Sequence, residues 1–157
     1  MMGKSFADDD MIRVHEHDFD MASEYQRLRQ LNANNGAVVL FVGLVRDFNQ
    51  NSQLNGLFLE HYPAMTQSAL VNIVKQAKEM WPLGNVTVIH RVGHLCINDQ
   101  IVLVGVSSQH RHAAFAGAEF IMDYLKISAP FWKKELSDAG DVWVEAKSSD
   151  NEAIKRW

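Results

Sequence analysis

The sequence predicts a single domain of the α+β class, and three observations lead to that prediction. Its 157 residues suit one sizeable hydrophobic core better than two small ones. Apolar residues make up 47% of the chain and charged residues 22%, which is typical of a globular protein. Strand and helix patterns are mixed along the chain without the steady βαβ alternation of a doubly wound sheet.

The first half of the chain alternates irregularly between strand and helix patterns. A short strand is expected near Met11–His15 and an amphipathic helix over Met21–Leu31, which a polar run then ends. Ala37–Val45 is nearly continuous in apolar and β-branched residues, as in a buried strand. A polar turn around Asn49–Asn55 leads to a second strand, Leu57–Tyr62, and the two strands are expected to form a hairpin.

Two longer helices and three further strands are expected in the second half. The first helix has Thr66 as its N-cap, carries apolar residues at helical spacing and stops at Pro82. The second helix occupies about Ala113–Ile127 and Pro130 ends it. Its inner face is expected to comprise Phe115, Ala118, Met122 and Leu125. The remaining elements are strands over Val86–Val92, Ile101–Ser107 and Val142–Ala146, and a final helical turn within Asn151–Trp157.

Charge and composition argue against several classes of protein. The net charge of −4 disfavours general nucleic-acid binding, and no apolar run is long enough to span a membrane. The N-terminus lacks the apolar segment of a secretory signal, and the single cysteine, Cys96, cannot form an intramolecular disulfide. A cytoplasmic location is therefore expected. Cys96 lies among apolar neighbours and is expected to be a buried thiol, not a nucleophile.

One segment is basic inside an otherwise acidic chain. Residues 109–134 carry four basic and two acidic groups before histidines are counted, whereas residues 1–35 carry four basic and seven acidic groups. This distribution indicates a local site for a small anion and argues against a broad surface for polyanions.

The first candidate site is the run Gln109-His110-Arg111-His112, where a strand is expected to give way to the long helix. Free backbone N–H groups at a helix start attract anions, and Arg111 adds a bidentate donor for phosphate or carboxylate. The alternative is that these polar residues only cap the helix.

Lys126 and Lys133 form the second candidate site. The chain is expected to turn at Pro130, with Phe131 and Trp132 packing to anchor the turn and to hold Lys133 in place. Lysines in partly apolar pockets lose proton affinity and then serve as bases, acids or nucleophiles. The alternative is that both lysines are solvated, as most helical lysines are.

Arg46, at the end of the Ala37–Val45 strand, is the third candidate. A charged residue that ends a buried strand often lines a cleft, although it can equally reach only solvent. No metal site is expected, because the sequence contains no H-E-x-x-H motif and its single cysteine cannot build a Cys-based zinc site. No nucleotide-binding loop or nucleophile elbow is present.

Six stretches closely resemble the large, catalytic subunits of molybdopterin synthases. They are FVGLVRDFN (41–49), LEHYPAMTQSAL (59–70), WPLGNVTVIHRVGHL (81–95), VGVSSQHRHAAF (104–115), FIMDYLKISAPFWKKE (120–135) and WVEA (143–146). The resemblance extends over residues 36–157 and includes the ending Lys155-Arg156-Trp157. Residues 1–35, an N-terminal arm with the first strand and helix, carry little of it.

The resemblance implies an α/β-hammerhead fold, which is of the α+β class. It also implies a homodimer at the centre of a heterotetramer, with a small ubiquitin-like subunit bound at each end. That subunit would carry a C-terminal Gly-Gly thiocarboxylate and donate sulfur to cyclic pyranopterin monophosphate. Two transfers would form the dithiolene of molybdopterin in molybdenum cofactor biosynthesis. No permanently bound cofactor, metal ion, nucleic acid or membrane is implied.

Site residues follow from the resemblance position by position. Substrate contacts are implied for Leu44, Val45, Arg46, His110, Arg111, Lys126, Lys133, Lys134 and Glu135. Lys126 and Lys133 are also implied to be catalytic. Lys126, nearest the partner's terminal glycine, would assist attack of the thiocarboxylate by proton transfer or by stabilising negative charge, with Lys133 beside it. Arg46, His110 and Arg111 would hold the phosphate, within one chain or across the dimer.

Two other functions remain open from the residues. One is a lysine-assisted lyase or transferase that acts alone on a phosphorylated metabolite, without a protein sulfur donor. The other is a binding module that docks the tail of a ubiquitin-like protein and forms no product.

Overall fold

The structure, a computed structural model, describes residues 10–49, 52–144 and 148–157. Its strands are β1 (Met11–His15), β2 (Ala37–Leu44), β3 (Phe48–Asn49), β4 (Ser52–Gln53), β5 (Gly56–His61), β6 (Leu83–Arg91), β7 (Gly93–Cys96), β8 (Gln100–Ser108), β9 (Phe131–Leu136) and β10 (Val142–Val144). Its helices are α1 (Met21–Leu31), α2 (Pro63–Met80), α3 (Arg111–Ser128) and α4 (Ser148–Ala153), and a 3₁₀ turn follows over Ile154–Arg156. The predicted α+β class is confirmed.

Two four-stranded sheets organise the chain. The first sheet has the strand order β1-β6-β8-β2, in which β1 runs parallel to β6 and the other pairs are antiparallel. The second sheet has the order β10-β9-β5-β7 and is antiparallel throughout. The short strands β3 and β4 form a separate ribbon between β2 and β5.

The central strands of the first sheet are buried on both faces, since consecutive residues are buried from Asn85 to His90 in β6 and from Val102 to Ser108 in β8. Side chains that alternate along β6 and β8 therefore pack against different helices. One face, with Val86, Val88, Val102, Val104 and Val106, forms the main core with residues of α2 and α3. The other face, with Ile89 and Leu103, packs with Phe19 just before α1.

Helix α1 packs closely against the second of these faces. Its Leu28 is fully buried, and a Cβ atom added to Gly105 of β8 would lie 2.7 Å from Leu28 Cδ1. Glycine at position 105 therefore allows the helix to approach the sheet. The predicted bounds of α1 are correct, and Asp20 caps it by accepting a hydrogen bond from the Ala22 N–H at 3.0 Å.

A second, smaller core joins the two sheets near the C-terminal ends of β2 and β6. Its buried members are Val45, Leu54, Leu57, Leu59, Val92 and Leu95. Because β5 supplies two of them and Val45 follows β2, this core fixes the end of β2 against the second sheet.

The predicted hairpin between the strands near 37–45 and 57–62 is wrong. β2 pairs with β8 in the first sheet, whereas β5 pairs with β7 and β9 in the second. Alternation patterns identify a strand but not its partner, since partners are chosen by the packing of both sheets. β7 and β9 were not predicted as strands. β7 has only four residues, and β9 contains the charged run Lys133–Glu135.

The starts of the two longer helices also differ from the prediction. α2 begins at Pro63, which suits the first turn because its missing N–H has no partner there. Thr66 is therefore not the N-cap; it is buried, and its Oγ1 donates to the Pro130 carbonyl at 3.3 Å. In α3, Ala118 and Leu125 are buried as predicted, but Phe115 is 62% exposed and does not lie on the inner face.

The C-terminal segment packs against the middle of α3. Trp157 lies among Trp81 and Phe120, and its Nε1 donates to Asp123 Oδ2 at 2.6 Å. β10 covers the first part of the predicted strand 142–146, and residues 145 and 146 lie outside the described ranges. Among the described residues, no helix is long and apolar enough to cross a membrane.

Candidate active site

Arg46 follows the end of β2, at the edge of the first sheet where β8 begins. The turn between β7 and β8 holds this end of the chain: the Val45 N–H donates to the Asp99 carbonyl at 2.9 Å, and the Asn98 N–H donates to the Val45 carbonyl at 2.8 Å. Asn98 has a φ of 71°, a conformation that asparagine tolerates better than most residues. The exposed Arg46 therefore extends from a fixed point of the backbone.

The two residues before Arg46 have different surroundings. Val45 is 3% exposed and belongs to the second core, and its implied contact with substrate stays a prediction. Its role is to anchor the strand end that carries Arg46. Leu44 is 48% exposed, and its implied contact with substrate stays a prediction.

Lys126 lies in the last turn of α3. Because α3 follows the C-terminal end of β8 and runs back over that strand, Lys126 lies at the same end of the first sheet as Arg46. Its charge acts on the buried ring of His90, near the end of β6. Burial lowers the pKa of His90 to about 4, and electrostatic interactions with Lys126 and His61 act in the same direction. His90 Nδ1 lies 2.8 Å from the Arg91 carbonyl oxygen, a contact that opposes the shift.

Phe131 connects this edge to the second sheet. Its ring stacks on His90 with a centroid distance of 3.8 Å and lies 6.4 Å from the ring of His61. The prediction that Phe131 anchors the chain after Pro130 is thus confirmed. Trp132 is not buried in this way; it is 43% exposed and meets Tyr62 edge-on.

Lys133 and Glu135 lie on the face of β9 that adjoins the second core. Lys133 is in register with Leu59 of β5, and Glu135 is in register with Leu57, both of which are buried. Because Phe131 shares this face by alternation, Lys133 lies on the side of β9 that packs toward His90. The structure thus places Lys133 at the same end of the first sheet as Lys126 and Arg46.

Lys134 lies on the opposite face of β9. A row of in-register residues crosses the second sheet there, from His94 through Phe58 and Lys134 to Trp143. Lys134 Nζ is 5.4 Å from the centroid of the Phe58 ring and 5.3 Å from that of Trp143, which are cation–π contacts. The structure therefore separates Lys134 from Lys133, and a substrate contact by Lys134 stays a prediction.

His110 and Arg111 lie at the far end of the first sheet, where β8 turns into α3. His110 is the N-cap residue and Arg111 is the first residue of the helix, and both are exposed. They line a cleft of about 590 Å³ together with Gly36, Gln109, His112 and Phe115. The first turn of α3 contains no acidic residue, so its N–H groups and the basic side chains offer a site for an anion.

Within one chain these two groups of residues do not meet. Arg111 and Lys126 are separated by 15 residues of one helix, so their Cα atoms lie about 22 Å apart. Arg46 and the His110–Arg111 corner are likewise at opposite ends of the eight-residue strand β2. A phosphate held at the corner is out of reach of Lys126 in the same chain.

Sequence reasoning missed His90 and His61, whose rings flank Phe131 beneath Lys126. The signal that would have found His90 is the one that selected Arg46: a polar residue near the end of a buried strand. The prediction that Cys96 is buried is wrong, because the thiol is exposed on the edge strand β7. In the described parts of the chain, no three His, Cys, Asp or Glu side chains are grouped to hold a metal ion.

Comparison with known protein families gives one match over most of the chain. The family model described as MoaE protein matches residues 14–128. The molybdopterin synthase catalytic subunit of Vibrio cholerae serotype O1 is 54% identical over 149 residues, which cover 95% of this chain and 99% of that protein.

Solved structures agree with this match. The molybdopterin biosynthesis MoaE protein of Burkholderia ambifaria superimposes with a TM-score of 0.81 at 46% identity, covering 94% of this chain and 97% of the other. One chain of a complex of subunits 1 and 2 of the molybdopterin-converting factor of Helicobacter pylori has a TM-score of 0.72, covering 87% of this chain and 92% of its own. At 22% identity, this second likeness shows a shared fold alone.

Proposed function

The chain belongs to the MoaE family, and we propose from that membership that it is the catalytic subunit of a molybdopterin synthase. The observation that carries the proposal is the 54% identity to a molybdopterin synthase catalytic subunit over nearly the full length of both chains. The reaction is the transfer of sulfur from a thiocarboxylated small subunit to cyclic pyranopterin monophosphate. Two transfers form the dithiolene of molybdopterin, and the enzyme acts in the cytoplasm without a permanently bound cofactor.

The site supports this reaction because it supplies cations where the reaction requires them. The substrate carries a phosphate, for which Arg46, Arg111 and the start of α3 provide charge-assisted donors. Lys126 and Lys133 lie beside a partly apolar wall formed by Phe131 and His90. A lysine there assists attack of the thiocarboxylate sulfur by transferring a proton or by stabilising developing negative charge. Sulfur arrives with the partner, so the reaction needs no cysteine of this chain.

Lys126 and Arg46 lie at one end of the first sheet, and His110 and Arg111 lie at the other. All of them can serve one site if that site is shared between two copies of the chain. β2 lies at the edge of the first sheet, and exposed apolar side chains lie along this edge and on α3: Phe41, Leu44 and Phe115. A twofold association of two copies along β2 runs antiparallel. The end of one β2, with Arg46, then lies next to the beginning of the other, where the partner copy's α3 starts.

In this arrangement each active site takes Lys126, Lys133 and Arg46 from one copy and the His110–Arg111 corner from the other. The enzyme is then a homodimer with two equivalent sites, each served by one small ubiquitin-like subunit. Its Gly-Gly tail must reach Lys126 to deliver sulfur.

The first experiment is an in vitro conversion. The purified chain is mixed with cyclic pyranopterin monophosphate and thiocarboxylated small subunit, and the product is identified by mass spectrometry. Formation of a product with two added sulfur atoms, abolished by Lys126→Ala, is the expected result. A stable complex with the small subunit that yields no product would refute the enzyme and favour a docking module.

The shared site is tested by mixing two inactive variants, Lys126→Ala and Arg111→Ala, under conditions that exchange subunits. A mixed dimer then contains one site with both changes and one intact site, so the mixture recovers about a quarter of wild-type activity. If each site lies within one chain, both chains of every dimer are defective and no activity returns.

A further inference from the structure

Three aromatic rings join the two sheets directly below the end of α3. They belong to His61 at the end of β5, Phe131 at the start of β9 and His90 near the end of β6. The rings of Phe131 and His90 are nearly parallel, with an interplanar angle of 17° and centroids 3.8 Å apart. The His61 ring lies 6.4 Å from Phe131 at 25°. The row therefore connects the first sheet to the strand that carries Lys133.

The hydrogen bond to the Arg91 carbonyl defines the tautomer of His90. A carbonyl oxygen only accepts, so the Nδ1 atom 2.8 Å away carries the proton and Nε2 keeps its lone pair. Burial keeps this ring neutral, since it lowers the pKa to about 4. The electrostatic interactions of the ring with Lys126 of α3 and His61 of β5 both oppose its protonation.

The segment between α3 and β9 is held from two sides. Thr66, buried in α2, donates from Oγ1 to the Pro130 carbonyl at 3.3 Å, and the next residue, Phe131, stacks on His90. The Phe131 N–H donates to the Ala129 carbonyl at 2.9 Å, which closes the turn. Lys126 precedes this turn by three residues and Lys133 follows Phe131 by two, so the placement of Phe131 governs the distance between the two lysines.

We infer that His90 is a positioning residue for Lys126 and Lys133, and that its uncharged ring, stacked on Phe131, sets the relative placement of the last turn of α3 and of β9. The inference rests on the proposed function in that it gives these two lysines a catalytic task. The ring has to be neutral because an imidazolium would repel the ammonium of Lys126. It has to be planar because the Phe131 ring lies flat against it.

The test uses the assembled enzyme with thiocarboxylated small subunit and cyclic pyranopterin monophosphate. His90→Ala removes the stacked ring, His90→Phe keeps a ring without nitrogen, and His94→Ala is the matched control on the exposed face of the second sheet. His90→Ala is expected to lower kcat by about 100-fold with little change in KM, the size of effect that a displacement near 1 Å produces. His90→Phe is expected to restore most of kcat, and His94→Ala to match the wild type.

A second measurement follows the lysines themselves and does not require turnover. The lysines are labelled by reductive ¹³C-methylation, and the signals of Lys126 and Lys133 are assigned with Lys→Arg variants. Both signals should shift in His90→Ala, return toward their wild-type positions in His90→Phe and stay in place in His94→Ala. Circular dichroism and thermal unfolding establish that each variant is folded.

The outcomes separate the inference from the proposed function. Absence of product from the wild-type enzyme overturns the proposed function. The signals of Lys126 and Lys133 in the His90 variants still show whether His90 positions these two side chains. Product from the wild type with an unchanged kcat in a folded His90→Ala enzyme overturns the inference alone. A loss of kcat that His90→Phe does not reverse also overturns the inference. Lysine signals that do not shift in His90→Ala overturn it as well.

Discussion

Lys133 and Lys134 are adjacent in sequence, but their side chains lie on opposite faces of β9. Lys133 is in register with the buried Leu59, whereas Lys134 Nζ lies 5.3 Å from the ring centroid of Trp143 on the outer face of the sheet. Strand geometry enforces this alternation. We therefore predict that Lys133 serves the substrate and that Lys134 contributes mainly to the stability of the second sheet.

A pair of matched variants tests this difference. Lys133→Met should reduce turnover by at least about 100-fold, because the cation that acts beside Lys126 is lost. Lys134→Met should leave turnover near the wild-type value and lower the free energy of unfolding by about 1 kcal/mol, because it removes only the cation–π contacts with Phe58 and Trp143. Single-turnover rates and urea unfolding measure the two effects. Equal losses of turnover would show that Lys134 also serves the substrate, as the family resemblance implies.

The α+β class and most elements were predictable from the sequence because their signals are local. The period of the apolar residues identified α1 to the residue and located the two central strands of the first sheet. Strand pairing was not predictable, since β2 and β5 both carry apolar side chains that pack against the cores, and only the packing of the whole chain decides their partners. β9 was missed because its charged run Lys133–Glu135 conceals the alternation.

The candidate site was predictable in composition and not in arrangement. Basic residues at strand and helix ends pointed to Arg46, Arg111 and Lys126, and the resemblance selected the same positions. Their separation into two groups depends on α3 running back over the first sheet, which no local pattern encodes. The role of His90 depends on a stacking contact with Phe131, 41 positions away in sequence, which becomes visible only in the folded chain.

The stability of the protein should fall in mildly acidic solution because of His90. Its pKa is about 4 in the folded chain and 6.5 for a histidine free of these surroundings, so the unfolded chain takes up a proton first as the pH falls. The stabilisation is complete above about pH 6.5 and is lost progressively toward pH 4, by about 3 kcal/mol in total.

Urea unfolding of the wild type and of His90→Phe checks this prediction. Measured at about pH 7.5 and about pH 4.5, the free energy of unfolding should fall by more in the wild type, since phenylalanine does not titrate. His15, whose pKa is also lowered by burial, contributes in the same direction in both proteins and cancels in the comparison. An identical decrease in the two proteins would contradict the assignment of a buried, neutral His90.

Cys96 should react with thiol reagents in the native protein, because its side chain is exposed on the edge strand β7. One thiol per chain is expected to titrate with an aromatic disulfide reagent without denaturant, at a rate near that of a small thiol. Cys96→Ser should abolish the reaction and leave sulfur transfer unchanged, since sulfur comes from the small subunit. Slow titration that accelerates only in urea would instead indicate a buried thiol.

Gly36→Ala should disturb the cleft at the start of α3 that His110 and Arg111 line. Gly36 lies just before β2, its N–H donates to the Ser108 carbonyl at 2.9 Å, and an added Cβ would collide with the Gln109 carbonyl oxygen. The backbone that leads into His110 must then shift, at a cost of about 1–3 kcal/mol in stability.

The expected kinetic signature is a rise in KM for the phosphate-bearing substrate, with a smaller effect on kcat. Asn34→Ala, two residues earlier at an exposed position, is the control and should behave as the wild type. An unchanged KM in a destabilised Gly36→Ala protein would mean that this corner does not bind the substrate.

Trp157 should be the most important residue of the C-terminal segment for stability. Its indole packs 5.3 Å from Trp81 and 5.6 Å from Phe120, and its Nε1 donates to a carboxylate oxygen of Asp123 in α3. Trp157→Ala should lower the free energy of unfolding by about 3 kcal/mol. Trp157→Phe keeps an aromatic ring and loses the hydrogen bond to a charged acceptor, so it should cost about 1.5 kcal/mol.

Urea unfolding at neutral pH measures these differences, with Trp143→Ala as the matched control. Trp143 is 54% exposed and contacts Lys134 on the outer face of the second sheet, so its removal should cost about 1 kcal/mol or less. Trp157 and Asp123 stabilise the middle of α3, whereas His110 and Arg111 lie at the start of this helix and Lys126 lies at its end. Trp157→Ala should therefore also reduce turnover at temperatures at which the variant is still folded. Equal stability losses in the alanine variants of Trp157 and Trp143 would show that the C-terminal segment is not a part of the core.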